Sequence, residues 1–356
     1  MPLLFAGRYL ALLLVAASLP LVSESARAQE PTPTTPPAAP PEPAALPPPG
    51  AGEVPVVAGA PSEVPVPQPA RRPDPYSLPF QLRPVIAASA VRSDTSFASY
   101  QNALAQSGFA VVSELSATYR IPGTGTAPAT GLVPLVKLAV INDSPPGTAT
   151  GGFAFVNPLV GAAYALAFGS GFRASASLCF TVPVGMGGGN TPDKGALDAR
   201  TVGPVVRADM DNVLFAVNDF GVLPQIDVAY VGQGLTTQVE ATLGQLQRVR
   251  GAEQDPDASK TVFTTGIHVG YFLVDALSIG GELRYQRWIV APSTVKTHKP
   301  GTSVDMLSTG VGPRLHFKLA PGVWTHPGIA YTRGFDHPMT SPANDNVIQL
   351  DVPVVF

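Results

Sequence analysis

A chain of 356 residues with a formal charge of -3 has no basic footprint for nucleic acid. Only 13% of it is Asp, Glu, Lys or Arg, about half the ~25% of an average soluble domain, and its mean hydropathy is +0.20. Beyond residue 30 no run reaches the ~18 apolar residues of a membrane-spanning helix, and the single Cys179 excludes an internal disulfide.

The first predicted element is a leader. Residues 1–8 end in Arg8, an apolar run covers 9–22, and Ala26, Arg27 and Ala28 precede Gln29. That order is a secretory signal over 1–28 with cleavage after Ala28. The apolar run is too short for an anchor, and no cysteine follows the cleavage point to carry a lipid.

Residues 31–75 hold 17 of the 40 prolines and no aromatic side chain. Such a stretch cannot bury enough surface to fold. It predicts a disordered Pro- and Ala-rich linker over 29–80, acting as a spacer or as an arm that contacts a periplasmic or cell-wall partner.

The remainder, 81–356, repeats about ten residues of alternating apolar and polar or small side chains, followed by a turn or loop. Strands are predicted near 84–93, 108–121, 131–142, 158–168, 172–184, 222–231, 235–249, 261–271, 276–290, 304–319, 323–333 and 347–356. In the last, Ile348, Leu350, Val352, Val354 and Phe356 alternate with Gln349, Asp351 and Pro353, and period two puts the two sets on opposite sheet faces. Links after even-numbered strands are short, as at 169–171, 232–234, 272–275 and 320–322, with 122–130 a mild exception. Links after odd-numbered strands are long and polar. Twelve strands with one-sided long loops predict an all-β fold, a transmembrane antiparallel barrel with both termini in the periplasm. A soluble sandwich would alternate too, but requires neither one-sided loops nor a final aromatic. Phe356 reads as the assembly signal met by the barrel-assembly machinery, and the outward faces as a surface for outer-membrane lipids.

Charged and polar residues on the inward faces must meet water or one another. The expected lumen and selectivity set is Glu114, Arg120, Lys137, Gln238, Glu240, Glu282, Arg284, Arg314, His316 and Lys318. Glu282 and Arg284, facing Arg314 and His316 on the next strand, form its densest group. These charges either pair to stiffen the interior or line a passage. The long link 185–221 carries Arg200, Arg207, Asp209, Asp211 and Asn212, and would narrow the pore if it folds inward. Its glycine run lacks the Lys and Ser or Thr of a phosphate loop. The five histidines show no metal-ligand spacing, and no nucleophile and base share a recognisable motif. No metal site, catalytic residue or cofactor is therefore expected.

One stretch carries a resemblance. Asn157, Pro158, Leu159, Gly161 and Tyr164 match an NP-L-x-G-x-x-Y element, and Val182, Pro183, Val184 and Gly185 resemble the strand end that follows it, in outer-membrane transporter-like barrels. That group includes proteins linked to aromatic-degradation pathways and related to long-chain fatty-acid channels. The resemblance implies passage of small molecules, hydrophobic ones included. The sequence thus leads to an exported outer-membrane barrel that serves as a channel or transporter for a small-molecule solute. Its alternative is a structural barrel tethered to the periplasm or cell wall through the proline-rich arm.

Overall fold

The computed structural model describes residues 75–356, apart from 103, 126, 128, 148, 299–301 and 341–343. The expected leader, and the expected linker up to residue 74, lie outside the described residues. The strands in chain order are β1 (Ala90–Gln101), β2 (Ser107–Thr118), β3 (Gly131–Ser144), β4 (Gly152–Phe155), β5 (Leu159–Ala167), β6 (Phe172–Thr181), β7 (Asp219–Gly232), β8 (Leu235–Arg248), β9 (Ser259–Val274), β10 (Leu277–Val290), β11 (Asp305–Leu315), β12 (Phe317–Ala320), β13 (Val323–Thr325), β14 (Gly328–Gly334) and β15 (Asn346–Val355).

Twelve of these form a closed antiparallel barrel. Each pairs with its neighbour, and β1 closes on β15 from Ala90↔Val355 to Ser99↔Asn346. Closure leaves no sheet edge unpaired. The short β4 adds to β3, while β12 and β13 make a hairpin beyond the rim that continues β11 and β14.

Alternation sorts the side chains as the sequence predicts. Ile226, Val228, Ile267, Val269, Ile279, Val311, Ile329 and Ile348 are exposed on an apolar outer belt, whereas Asp227, His268, Glu282, Gln349 and Asp351 are buried within. The links alternate as well. One end carries 168–171, 233–234, 275–276, 321–322 and the longer 119–130; the other carries 102–106, 145–158, 182–218, 249–258, 291–304 and 335–345. These are called the short-turn and long-loop ends below.

Two features depart from the sequence reading. The first strand begins at Ala90 rather than 84, and 75–89, expected as linker end and strand start, forms neither strand nor helix. Leu78, Phe80, Leu82, Val85 and Ala87 are nonetheless buried, inside the barrel. An extended segment shows the same two-residue alternation whether or not it pairs with a neighbour, so periodicity alone could not tell them apart. The second is the filling of the long-loop half. Link 182–218 folds inward as α1 (Lys194–Val206) and α2 (Asn212–Phe215). Asp193 caps α1 by accepting from the Ala196 N–H at 2.8 Å. Val206, Leu214, Phe215 and Val217 then pack with Val112, Ile141, Val156, Leu159, Met306 and Met339 in one apolar core. A further turn, α3 (Ser293–Lys296), lies in link 291–304.

Candidate functional site

The lumen is occupied from both ends by this chain's own backbone. From the short-turn end, residues 75–89 enter, bend at 80–82 and return. Ser77 donates its N–H to Thr236 Oγ1 (2.9 Å) near the β7–β8 turn, and the Ala87 N–H reaches Ala129 O (3.0 Å) on the 119–130 link. Both limbs therefore open toward the same end. At the bend, Gln81 Nε2 donates to Arg207 O (2.8 Å), where the segment meets the inward loop.

Wall side chains meet much of the segment's backbone between residues 77 and 83. Glu282 accepts from the N–H groups of Phe80 and Gln81, and Glu240 Oε2 from that of Arg83 (2.8 Å). Arg92 and Arg314 donate to Pro79 O at 3.0 and 3.1 Å, Arg92 also donates to Phe80 O, and Gln349 Nε2 reaches Phe80 O at 2.9 Å. Gln238 Nε2 donates to Arg83 O (2.6 Å), and His268 Nε2 meets Ser77 O at 3.1 Å. The charges are themselves paired: Glu282 with Arg284 (2.6 Å), and Asp351 with Arg92 and Arg314 (each 2.6 Å). A buried polar backbone is tolerated only when satisfied in this way.

From the long-loop end, Arg207 is inserted as an anchor. It is 1% exposed. Its Nη2 lies 3.0 Å from Asp94 Oδ2 and 3.2 Å from Glu114 Oε2, its Nη1 donates to Ser96 Oγ at 2.9 Å, and its Nε pairs with Asp211 at 3.1 Å. Lys137 Nζ bridges Glu114 (3.0 Å) and Asp211 (3.1 Å). Register explains the assembly, because Asp94 on β1 faces Glu114 on β2, and Lys137 on β3, opposite Ser116, reaches Glu114 along the diagonal. Two acids side by side in the wall need a cation, and the loop delivers it.

A clasp holds the loop. Asn157 is fully buried; its Nδ2 donates to Ala216 O (2.9 Å) and Asp219 O (3.3 Å), and its Oδ1 accepts from the Gly185 N–H (3.0 Å). Arg250 adds a bond to Val217 O at 3.1 Å. The two sequence elements that carried the resemblance thus touch each other. Gly161 lies where a Cβ would come within 2.7 Å of Cys179 Cα, and Tyr164 donates to Thr124 O at 3.0 Å.

Between the segment, the loop and the wall of β1–β3, β5, β7–β9 and β15 lies a cavity of about 190 Å³. Leu82, Ile86, Val133, Leu135, Leu159 and Leu223 give it an apolar wall, interrupted by Arg83, Lys137 and Glu240. The Arg83 guanidinium meets neutral groups, Ser177 Oγ and, at 3.7 Å, Cys179 Sγ.

Of the residues expected in the lumen, Glu114, Lys137, Gln238, Glu240, Glu282, Arg284 and Arg314 are there. The expected group of four does not form as drawn. Glu282 and Arg284 face Gly310 and Ser308 across the sheet, Arg314 pairs with Asp351, and His316 bonds Ser278 Oγ (2.8 Å) and sits against His326. Two residues require correction. Arg120 lies past the end of β2, where its Nε donates to Thr130 O (3.1 Å) and ties down the 119–130 link. Lys318 is exposed on the hairpin beyond the rim, because the strand outruns the barrel there.

In the inward loop, Arg207, Asp211 and Asn212 are placed inside as a closure requires. Arg200 instead stitches the loop to itself through Gly187 O (2.9 Å). Asp209 lies toward the 335–345 link. Burial, reinforced by Asp336, pushes its carboxyl up to about 7, and burial followed by Asp209 does the same to Asp345. Phe356 is exposed at the rim, with its N–H on Ser89 O (3.0 Å).

The segment itself was missed, and its imprint was visible. Gly266, Gly270 and Gly328 occupy inward wall positions where a Cβ would strike Leu82, Ser77 and Phe80, respectively. Small residues in a row on a lumen face mark a backbone passing close by.

No protein-family model matches the chain, and no curated relative matches it. Solved structures with a similar fold include an outer-membrane channel from Pseudomonas putida F1 (11% identity, 78% of this chain, 98% of that one, TM-score 0.49). The NanC porin (9%, 76% and 99%, 0.43) and the transport unit of the autotransporter AIDA-I from Escherichia coli (10%, 76% and 90%, 0.44) are others. This likeness adds nothing beyond the barrel that the strand pairing already defines.

Proposed function

We infer that this chain is an outer-membrane channel or transporter for small molecules, hydrophobic ones included, and that it is closed at rest by residues 75–89 from one side and the 182–218 link from the other. The observation that carries the reading is how the lumen is filled. Wall side chains do not fill it; two inserts do, and a barrel of this size is otherwise wide enough to leave an interior space. The outer apolar belt fits lipid, the one-sided long loops fit a surface-facing end, and the leader fits export. The mixed apolar and charged wall of the cavity suits a small amphipathic solute, in line with the resemblance to the aromatic-degradation and fatty-acid channel group.

The test is conductance in planar bilayers, with liposome swelling for neutral solutes. The intact chain is expected to leak little, and a chain lacking both 75–88 and 196–217 to conduct. A folded barrel that leaks nothing with or without those residues overturns the channel reading. That result would favour a structural barrel tethered through the proline-rich arm, a second reading supported by the apolar core that packs the long-loop half.

A further inference from the structure

We propose that the short-turn half of the lumen is a peptide-binding site whose resident, exchangeable ligand is this chain's own segment 75–88. The site is built to read an extended backbone. The N–H groups of residues 77, 80, 81 and 83 and the carbonyls of 77, 79, 80 and 83 all end on wall side chains, from Thr236, Glu282, Glu240, His268, Arg92, Arg314, Gln349 and Gln238. Pro79 and Pro84 have no N–H to satisfy. Side-chain seats add selectivity. Phe80 lies under the Arg314 guanidinium (4.6 Å from the ring centroid) and against Gly328, and Leu82 lies on Gly266. Backbone bonds for affinity and seats for chosen side chains are the general way a protein binds an extended peptide.

The segment is a ligand rather than a part of the wall. It contributes no strand, is joined to the barrel at one end only through 89–90, and has both limbs at the short-turn end, so it can leave without breaking a strand pair. What it gives up are bonds from charged and polar wall groups that water can replace, together with the burial of Leu78, Phe80, Leu82, Val85 and Ala87. The ligand class is therefore a proline-containing extended peptide of roughly eight contacting residues, with an aromatic and, two residues on, an aliphatic side chain. This inference rests on the segment's contacts and would stand even if the barrel conducted nothing.

The experiment uses the full chain in detergent with Phe80→Ser and Leu82→Ser introduced together. Both lie on the segment and outside every strand. A fluorescent peptide of sequence PYSLPFQLRPVIAA, residues 75–88, is titrated and followed by anisotropy. The double variant is expected to bind it at least about tenfold more tightly than the unaltered chain, in which the resident occupies the site; a shuffled peptide should not bind. A folded variant, recognised by its heat-modifiable gel band, that ignores the peptide or takes both peptides equally overturns the proposal. Hydrogen exchange on the unaltered chain tests it independently of that variant. The amides of 77–83 should exchange together and at least about tenfold faster than those of β9 and β10. Exchange at the strands' own rate would make the segment an integral part of the barrel.

Discussion

The two halves of this lumen are closed by opposite kinds of chemistry. At the long-loop end, α1 and α2 bring Val206, Leu214 and Phe215 into an apolar core like that of a water-soluble domain. At the short-turn end, segment 75–89 is held chiefly by hydrogen bonds and ion-paired side chains around its backbone. Removing the first exposes apolar surface and leaves a void, at about 25 cal/mol per Å². Withdrawing the second exchanges protein hydrogen bonds for water, a net change of roughly 1 kcal/mol each, and uncovers the segment's own few apolar side chains rather than a shared core. A channel that must open would move the polar closure more readily than the apolar one, and the difference can be tested residue by residue.

The largest effect is expected at the joint between the halves. Arg207→Ala leaves Asp94, Glu114 and Asp211 facing one another with Lys137 as the remaining bridge, and breaking a buried pair from one side costs about 3–5 kcal/mol. Urea unfolding in detergent should show the loss, and a change below about 1 kcal/mol would mean the loop is not anchored there. A matched pair of truncations sharpens the comparison. Phe215→Ala, which empties the seat against Gly203, is expected to cost about 3–5 kcal/mol. Phe80→Ala removes an equally buried ring, yet should leave the barrel's unfolding midpoint almost unchanged while loosening 77–83 in hydrogen exchange. Equal shifts for the two rings would abolish the distinction between core and ligand.

Asn157→Ala comes next. It orphans the Gly185 N–H inside the clasp and leaves Ala216 O with the Asp219 N–H alone, and a buried group left unsatisfied costs about 1–3 kcal/mol. Protease sensitivity of 182–218 should rise while strand content in circular dichroism holds.

That clasp also shows what was legible in the sequence. The barrel, its strand number and the sidedness of its loops follow from period-two alternation and link length, which are local properties. Asn157 and Gly185 each belong to a recognisable sequence pattern, but their contact spans 28 residues and no spacing rule encodes it. Arg207 was among the expected constriction residues because a charged residue in a long link needs a partner. The partner Asp94 was hidden by the misplaced first strand, since 84–93 alternates as convincingly as 90–101. Parity alone places Arg120 and Lys318 inward, and parity continues past the point where the barrel ends.

The smallest expected effect separates the halves by pH. Asp209 and Asp345 lie where the inward loop meets the 335–345 link, and burial, reinforced by Asp336 at Asp209 and by Asp209 at Asp345, pushes both carboxyls up to about 7. Released from the docked loop, each would titrate near its ordinary value of roughly 4. Between those values the docked state holds protons that the undocked state has lost, so docking weakens as pH rises through the window and levels off above it. The loop's amides, each compared with its intrinsic exchange rate at the same pH, should therefore be less protected at pH 8 than at pH 5, and Asp209→Asn with Asp345→Asn should flatten that difference in protection. A loop that tightens as pH rises would reverse the assigned sign and place the two carboxylates beside cations instead of beside other acids.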